Sequence, residues 1–331
     1  MSETVLQAAA RPVAAVRSLS PVPAPSAPSA ALSLAPSGGT PRVDPGAATN
    51  VRSLATARRP DAAPRPTAAP FLKWAGGKTQ LLSQLKPLLP PSFDRYFEPF
   101  LGGGALFFNL APAVAFLSDV NEELINVYRV VRDDVESLIA QLGNHKHEKN
   151  HYYAVRALDP RFLDPVERAA RMAYLNRTCF NGLYRVNRRG QFNVPFGSYK
   201  NPDICPQDKL RAASATLQGV AIERRDFADA VAGARPGDFV YFDPPYDPVS
   251  RTASFTRYAK GDFGPDDQAA LAETFADLTA RGVRCMLSNS DTPLINDLYG
   301  DFRVERVQAR RAISRRAGGR GPVSEVVVLN Y

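Results

Sequence analysis

An apolar, strand-like run at Phe239–Phe242 leads directly into Asp243-Pro244-Pro245-Tyr246. In open α/β sheets, ligands bind at the carboxyl ends of strands, so this position suits a functional site. Prolines lack an amide donor and fix their own φ, which holds nearby carbonyl groups in place as acceptors. The Asp243 carboxylate and an adjacent carbonyl could therefore accept both hydrogens of an amine.

Such a pair of acceptors suits methylation of a nucleobase amine. The nitrogen lone pair is delocalised into the ring, and hydrogen bonds to both amine hydrogens favour the pyramidal, nucleophilic form. Positioning and electrostatics can support this transfer without a covalent intermediate. Tyr246 could stack on a base extruded from the duplex. Taken alone, however, the tetrapeptide is equally typical of a proline-rich turn after a strand.

A second candidate ligand site follows the predicted strand at residues 96–100, where three glycines occupy positions 102–104. Glycines let the backbone approach a ligand closely. The nicotinamide-dinucleotide fingerprint requires a small residue where Phe107 stands, which disfavours a dinucleotide. Asp119, after the next predicted strand, could accept hydrogen bonds from ribose hydroxyls or could cap the helix that begins near Asn121.

Residues 71–79 end in Gly-Lys-Thr, as a phosphate-binding loop does. That loop also needs a glycine at the position of Leu72 and an apolar strand before it, and this sequence has neither. The pattern disfavours a nucleoside triphosphatase and leaves Trp74 and Lys78 as candidates for a different ligand.

Alternation of strand and helix patterns predicts an α/β sheet with parallel pairing and helices on both faces. After Asn121, apolar residues recur at helical spacing as far as Leu138. The predicted strands are 96–100, 114–117, 239–242, 283–287 and 323–329.

The alternation stops between residues 143 and 217, which predicts an inserted, mainly helical domain. Asp164 to Glu167 form a strong helix start, because Asp can cap, Pro suits the first turn and Glu can reach back. Residues 183–187 and 191–194 flank an Arg-Arg-Gly turn and predict a β-hairpin. The predicted division is a catalytic domain at 70–142 and 218–331 with the insert at 143–217.

Twelve of the 29 prolines lie in the first 70 residues, among Ala, Ser and isolated Arg. Such a composition predicts a disordered tail over residues 1–69. The tail carries seven Arg against three acids and so supplies +4 of the net charge of +8. Of the remaining charge, clusters at 177–200 and 303–320 are consistent with a phosphate-binding surface or with a solvated face.

Cysteine and histidine usage argues against other chemistries. No cysteine follows a proline, as the nucleophile of a cytosine-C5 methyltransferase would, so Cys179 and Cys285 are interpreted as core residues. His145, His147 and His151 could be metal ligands, but Lys146, Glu148 and Lys149 between them are typical of a solvated face and disfavour a metal site. No apolar run is long enough to span a membrane, and a reducing cytoplasm is expected.

In their order, the motifs resemble those of the Dam-like, D12-class, alpha-group adenine-specific DNA N6-methyltransferases. The resemblance covers residues 71–331. It rests on FLKWAGGK at 71–78, EPFLGGGA at 98–105, SDVN at 118–121, LNRTCFNGLYR at 175–185, GQFNVPFG at 190–197, DPPY at 243–246 and SNSDT at 288–292.

The resemblance implies a Rossmann-like fold, S-adenosylmethionine as methyl donor, no metal, base flipping, and double-stranded DNA, with GATC as the expected site. It implies a bacterial or phage-encoded monomer acting in DNA methylation or restriction-modification. Catalytic roles fall to Asp243, Pro244 and Tyr246. The cofactor-binding residues implied are Trp74, Lys78, Phe100, Gly102, Asp119 and Asp243, with Asp226-Phe227 as a further cofactor motif. The DNA-binding residues implied are Lys73, Asn181, Leu183, Arg185 and Pro195.

Four alternatives remain open at this stage. The chain could be a DNA-binding protein of the same fold that has lost catalysis, or could methylate a different DNA sequence. It could also act on RNA or on a protein amide, although Asn would suit a protein-amide enzyme better than Asp243.

Overall fold

In the computed structural model, residues 68–249, 263–310 and 322–331 are described, all within the compact unit Arg59–Tyr331. The predicted disordered tail lies outside these residues except for positions 68 and 69, and so does the basic stretch 311–321. Ala68 packs against the core.

Within the described residues, a mixed α/β architecture is built on a seven-stranded sheet with the order β3-β2-β1-β4-β5-β7-β6. β1 to β5 pair in parallel, whereas β7 runs antiparallel to both β5 and β6. The strands are β1 Tyr96–Glu98, β2 Ala115–Asp119, β3 Ala221–Arg224, β4 Phe239–Phe242, β5 Arg284–Ser290, β6 Arg303–Arg310 and β7 Pro322–Leu329.

The α-helices of the described residues connect and cover these strands. They are α1 Leu82–Leu85, α2 Ala105–Leu110, α3 Glu122–Asp133, α4 Val135–Gly143, α5 Lys149–Ala157, α6 Pro165–Thr178, α7 Gln207–Leu217, α8 Phe227–Val231, α9 Pro265–Ala280 and α10 Pro293–Leu298. Short 3₁₀ turns lie at Lys78–Gln80, Lys86–Leu88, Pro160–Phe162 and Phe180–Gly182.

The burial of β4 on both of its faces explains why residues 239–242 form an uninterrupted apolar run. Phe239 and Tyr241 belong to one buried hydrophobic cluster, whereas Val240 and Phe242 belong to the other. Side chains of a strand point alternately to opposite faces, and both faces of this central strand are covered. The strand therefore holds its carboxyl end, Asp243, on a rigid support.

All five predicted strands are confirmed to within a few residues at their ends. β3 and β6, the two edge strands, were missed because both are charged: β3 ends in Glu-Arg, and β6 contains three Arg and one Glu among its eight residues. The single helix predicted after Asn121 is two helices. Asp134 leaves the helical region (φ −150°, ψ 58°), and its side chain accepts a hydrogen bond from Ser137 N as the cap of α4.

The segment 143–217 is mainly helical. α6 packs against α3 and α4, and it begins with the predicted capping box: Asp164 accepts from the amides of Val166 and Glu167, and Glu167 accepts from the amide of Asp164. Residues 183–194 contain an antiparallel bridge between Val186 and Phe192 rather than two regular strands, so the hairpin is not confirmed as a strand pair.

The predicted solvated face is confirmed for Lys146, Glu148 and Lys149, which are exposed, whereas the three histidines are half-buried. The rings of His145 and His151 share a hydrogen bond of 2.9 Å, and His145 stacks on Tyr174 at 4.4 Å between ring centres, so these rings are packed rather than solvated. Across the described ranges no group of three or more His, Cys, Asp or Glu is placed to hold a metal ion. In the same residues no helix is long and apolar enough to cross a membrane.

The cysteine interpretation is confirmed. Cys179 and Cys285 are fully buried and form no disulfide. Burial raises the pKa of the Cys179 thiol to about 12, so it is not a nucleophile at neutral pH.

Candidate active site

A cavity of about 420 Å³ lies at the carboxyl ends of β1, β2 and β4. This edge is where the parallel strands of an open α/β sheet present their ligand-binding loops. The cavity is lined by every cofactor-binding and catalytic residue expected from the sequence: Trp74, Lys78, Phe100, Gly102, Asp119, Asp243, Pro244 and Tyr246.

The loop after β1 needs glycine at position 102. Gly102 has φ +47°, which side chains rarely adopt, and a Cβ there would lie 2.8 Å from Cδ1 of Trp74. The absent side chain lets the indole of Trp74 lie directly against the loop. The loop and Trp74 therefore form one continuous wall of the cavity.

Asp119 holds this loop in place. Its carboxylate accepts hydrogen bonds from Gly102 N (3.1 Å) and Asn121 N (2.9 Å). The cap of α3 is Asn121, whose side chain accepts from Leu124 N, so the alternative in which Asp119 caps the helix is wrong. Burial raises the pKa of Asp119 to about 6, against the opposing effect of these amide donors. The carboxylate is thus fixed at the cavity wall as an acceptor.

Lys78 and Asp243 form an ion pair inside the cavity. Lys78 Nζ lies 2.6 Å from Asp243 Oδ1 and also donates to the carbonyl oxygen of Gly76. The Lys78 side chain is 5% exposed and that of Asp243 is 19% exposed. Burial raises the pKa of Asp243, whereas Lys78 lowers it. The lysine therefore opposes the effect of burial on a carboxyl group that is largely desolvated.

Tyr246 is held at both ends of its side chain. Its ring lies beneath Lys78 Nζ, 4.6 Å from the ring centre, and its hydroxyl donates to Glu325 Oε2 at 2.8 Å. Burial raises the pKa of Tyr246 well above its ordinary value, so the phenol remains protonated and remains a donor. The ring is consequently fixed against the cavity rather than free to rotate away.

Two strand carboxylates of the cavity, Glu98 and Glu325, were missed as site residues, and so was Asp267 on α9. Glu98 ends β1, is 2% exposed and accepts a hydrogen bond from the Tyr96 hydroxyl at 2.9 Å. Burial raises the pKa of Glu98 to about 8. Glu325 stands on β7. Both could have been noticed as single acidic residues at the end of, or inside, an apolar strand.

One end of the cavity is aromatic. The rings of Phe100 and Phe227 stack at 5.5 Å, and Phe263 meets Phe100 edge-on at 5.7 Å. Asp226 positions Phe227 because its side chain caps α8 by accepting from Ala228 N at 3.1 Å. The Asp-Phe pair expected to be a cofactor motif thus contributes an apolar wall.

The cavity is joined to the segment expected to contact DNA. The side chain of Asn176, on α6, accepts from Lys73 N at 2.9 Å and donates to the carbonyl oxygens of Lys73 and Gly182. Next to it, Trp74 stacks on Tyr184 at 5.5 Å. Residues 73–74 and 182–184 are therefore tied together although they are more than 100 positions apart.

The five residues expected to bind DNA lie around this junction. The Lys73 side chain packs against Gly182, which lies between Asn181 and Leu183 in the sequence. Its Nζ lies 4.0 Å from the ring centre of Tyr199. Pro195 is linked to the same turn through its carbonyl, which accepts from Phe180 N. All but the half-buried Leu183 are exposed.

Arg185 projects from this turn, and its Nε donates to Asn193 Oδ1 at 2.7 Å. Phe180, a 50% exposed aromatic beside Asn181, was not singled out from the sequence. Its position next to a left-handed residue, Asn181 at φ +55°, makes it a projecting side chain of the turn.

The sequence matches a known protein family and several known proteins. The family described as D12 class N6 adenine-specific DNA methyltransferase matches residues 74–313. A type II methyltransferase of Lactococcus lactis subsp. cremoris is 46% identical over 270 residues, which is 79% of this chain and 95% of that protein. A type II methyltransferase of Methanocaldococcus jannaschii is 42% identical over 79% of this chain and 99% of that protein. A DNA adenine methylase of Serratia marcescens is 38% identical over 78% of this chain and 97% of that protein.

Proposed function

Because the chain belongs to the D12 class of N6 adenine-specific DNA methyltransferases, we propose that it uses S-adenosylmethionine to methylate a flipped adenine in GATC sites of double-stranded DNA. The adenine-specific DNA methyltransferase activity follows from membership of this family. The methyl donor, the flipping of the target base and the recognition sequence are what we propose. The observation that carries it is the meeting of Asp243 and Tyr246 with the glycine loop and Asp119 in one cavity.

The residues of the cavity fit S-adenosylmethionine. Its volume of about 420 Å³ is in the range of small-molecule sites. The Phe100–Phe227 pair offers an apolar slot for a purine, and Asp119 offers an acceptor for ribose hydroxyls. Further along the cavity lies a set of ionisable side chains, Glu98, Lys78 and Asp243, that suits the ammonium, carboxylate and sulfonium groups of the methionine part.

When bound, S-adenosylmethionine supplies an electrophilic methyl group. The side chain of Asp243 and the carbonyl of Pro244 accept the two hydrogens of the adenine amine, which localises its lone pair on nitrogen. Tyr246 stacks on the base and holds the amine at the acceptors. The Asp243 carboxylate is also placed to receive the proton that the amine loses.

We further propose that residues 143–217 form the target-recognition domain and that 70–142 and 218–331 form the catalytic domain. The exposed turn at 180–195, with its basic and apolar side chains, supports a role in base contacts. Contacts through Asn176 and Trp74 connect this turn to the cavity. They support a single site for base recognition and methyl transfer rather than two separate sites. The protein is proposed to act as a monomer.

Replacing Tyr246 with Ala is expected to weaken trapping of the flipped base. Stacking of a base on an aromatic side chain contributes about 1–3 kcal/mol. Tyr246→Phe is the matched control, because it keeps the ring and loses only the hydroxyl that donates to Glu325. With 2-aminopurine at the target position, the fluorescence increase on binding should fall for Tyr246→Ala and persist for Tyr246→Phe. An unchanged signal in the Ala variant contradicts a stacking role.

Expression in a methylation-deficient host should place N6-methyladenine in GATC sites. Arg can donate two hydrogen bonds to guanine O6 and N7, and Leu183 and Pro195 can pack on a thymine methyl. Sequencing that detects N6-methyladenine in the host DNA gives the answer directly. Methylation in another sequence rejects GATC and leaves the enzyme class in place.

If GATC is the site, Arg185→Ala should relax discrimination at one base pair by about 1–3 kcal/mol. Arg188→Ala is the matched control, since Arg188 is exposed in the adjoining turn. Methylation rates on duplexes with single substitutions in the site measure the effect. A uniform loss over all duplexes would make Arg185 a phosphate contact instead.

A further inference from the structure

A buried chain of amide hydrogen bonds spans the loop that carries Tyr246. Asn289 on β5 is 0% exposed, and Gln268 on α9 is 1% exposed. The Asn289 side chain donates from Nδ2 to Gln268 Oε1 at 3.0 Å. Two polar side chains at this depth require partners, and the partners they have outside the pair are backbone groups of the catalytic loop and of β5.

The two ends of this chain form hydrogen bonds with the loop on either side of Tyr246. Gln268 Nε2 donates to the carbonyl oxygen of Pro245 at 2.9 Å. Asn289 Oδ1 accepts from Asp247 N at 3.0 Å and from Ser290 N at 2.8 Å. The residue before Tyr246 and the residue after it are therefore both fixed by side chains that come from different elements.

The direction of every bond in the chain is determined. The carbonyl of Pro245 can only accept, so Gln268 must turn its NH₂ toward the loop and its oxygen toward Asn289. The amides of Asp247 and Ser290 can only donate, so Asn289 must turn its oxygen to them and its NH₂ to Gln268. Neither side chain can flip, and an ionised carboxylate at either position breaks one link.

We propose that Gln268 and Asn289 are positioning residues that hold the loop around Tyr246 in the geometry needed for methyl transfer, an inference that rests on the proposed function. Neither residue need touch the base. They act through the Pro245 carbonyl and the Asp247 amide, which set where the Tyr246 ring and the adjoining Pro244 carbonyl lie. Glu325 holds the far end of the same ring through its hydroxyl.

The first test is Gln268→Met, which keeps the length and volume of the side chain and removes both hydrogen bonds. The value of kcat should fall about 10- to 100-fold, since misplacement of a reacting group by an ångström can cost about 100-fold. The dissociation constants for S-adenosylmethionine and for DNA should stay within about threefold, because the loop rather than the binding surfaces is altered.

Gln218→Met is the matched control. Gln218 also donates from its side-chain amide to two backbone carbonyls, those of Arg132 and Ser214, but it does not line the cavity. Its substitution should leave kcat unchanged. Equal kcat values in Gln268→Met and the parent protein overturn the proposal, whereas a parent protein that transfers no methyl group to adenine in DNA overturns the proposed function instead.

A second variant, Gln268→Glu, separates positioning from a loss of folded protein. An ionised carboxylate can accept from Asn289 but cannot donate to the Pro245 carbonyl, whereas a protonated carboxyl can do both. The ratio of kcat for Gln268→Glu to that of the parent should therefore rise as the pH falls. Asp243, Asp267 and Glu325 line the same cavity in both proteins, so the ratio largely cancels their contribution. A kcat ratio that stays constant or falls as the pH is lowered contradicts the proposed positioning role of Gln268.

Discussion

Asp243→Ala is expected to abolish methyl transfer, with a loss in kcat of at least about 10²- to 10³-fold. This is the effect of removing one preorganised polar group at the site of charge development in other enzymes. Here the substitution removes an acceptor for the adenine amine and also leaves Lys78 without its carboxylate partner at 2.6 Å. Single-turnover transfer of a labelled methyl group to a duplex containing the target adenine measures the loss.

Asp301→Ala serves as the control, because Asp301 is an exposed residue of the turn before β6. It should keep full activity. DNA binding by Asp243→Ala, followed by fluorescence anisotropy, should remain close to that of the parent protein, since the expected DNA-binding residues are Lys73 and residues of the turn at 180–195. Near-normal turnover of Asp243→Ala would refute the proposed mechanism.

The placement of Asp243, Asp119 and the glycine loop could be predicted from sequence for a simple reason. Each follows an apolar run, and the carboxyl ends of parallel strands meet at one edge of a sheet. Strand identity alone thus brings these residues together, with no knowledge of side-chain contacts. All of them line the same cavity.

Glu325 illustrates what this reasoning misses. It approaches Tyr246 because β7 inserts antiparallel between β5 and β6, with Glu325 opposite Ser290. Nothing local in the sequence gives the order of strands at that edge, because β6 is charged and lacks an apolar signature. The partner of the Tyr246 hydroxyl therefore appears only with the sheet.

The Gln268–Asn289 chain is a second case. Gln268 lies on a helix of low amphipathic contrast, where a polar residue is usually expected on the solvated face, yet it is 1% exposed. It turns inward because the Pro245 carbonyl and Asn289 offer it both a donor and an acceptor. Burial of a polar side chain depends on partners from other elements, and periodicity along one helix does not reveal them.

The turn at 180–195, which is expected to contact DNA, could be predicted only in part. The sequence predicted regular strands at 183–187 and 191–194, but the structure has a single bridge between Val186 and Phe192 in that segment. The side chain of Asn187 shapes the turn, because its Oδ1 accepts hydrogen bonds from the amides of Arg189 and Gln191. Polar side chains that bond to nearby backbone compete with the regular ladder, which weakens a hairpin prediction drawn from apolar alternation.

Lys78→Met is expected to lower activity strongly at neutral pH and to shift its pH dependence. Removing one partner of a largely buried ion pair leaves the other charge uncompensated, at a cost of about 3–5 kcal/mol. Asp243 can avoid that cost by taking up a proton. Burial already raises its pKa and Lys78 opposes the rise, so the substitution should raise the pKa of Asp243 further.

A protonated Asp243 presents a donor where the adenine amine needs an acceptor, so the acid limb of the kcat profile should move to higher pH. Activity should then recover in part as the pH rises. Stability should follow the opposite course: a carboxyl with a raised pKa costs nothing while protonated, so the melting temperature of Lys78→Met should approach that of the parent at low pH and fall behind as the pH rises. Lys86→Met, at an exposed lysine, is the control and should alter neither profile. If the acid limb of kcat in Lys78→Met coincides with that of the parent protein, Lys78 does not set the charge state of Asp243.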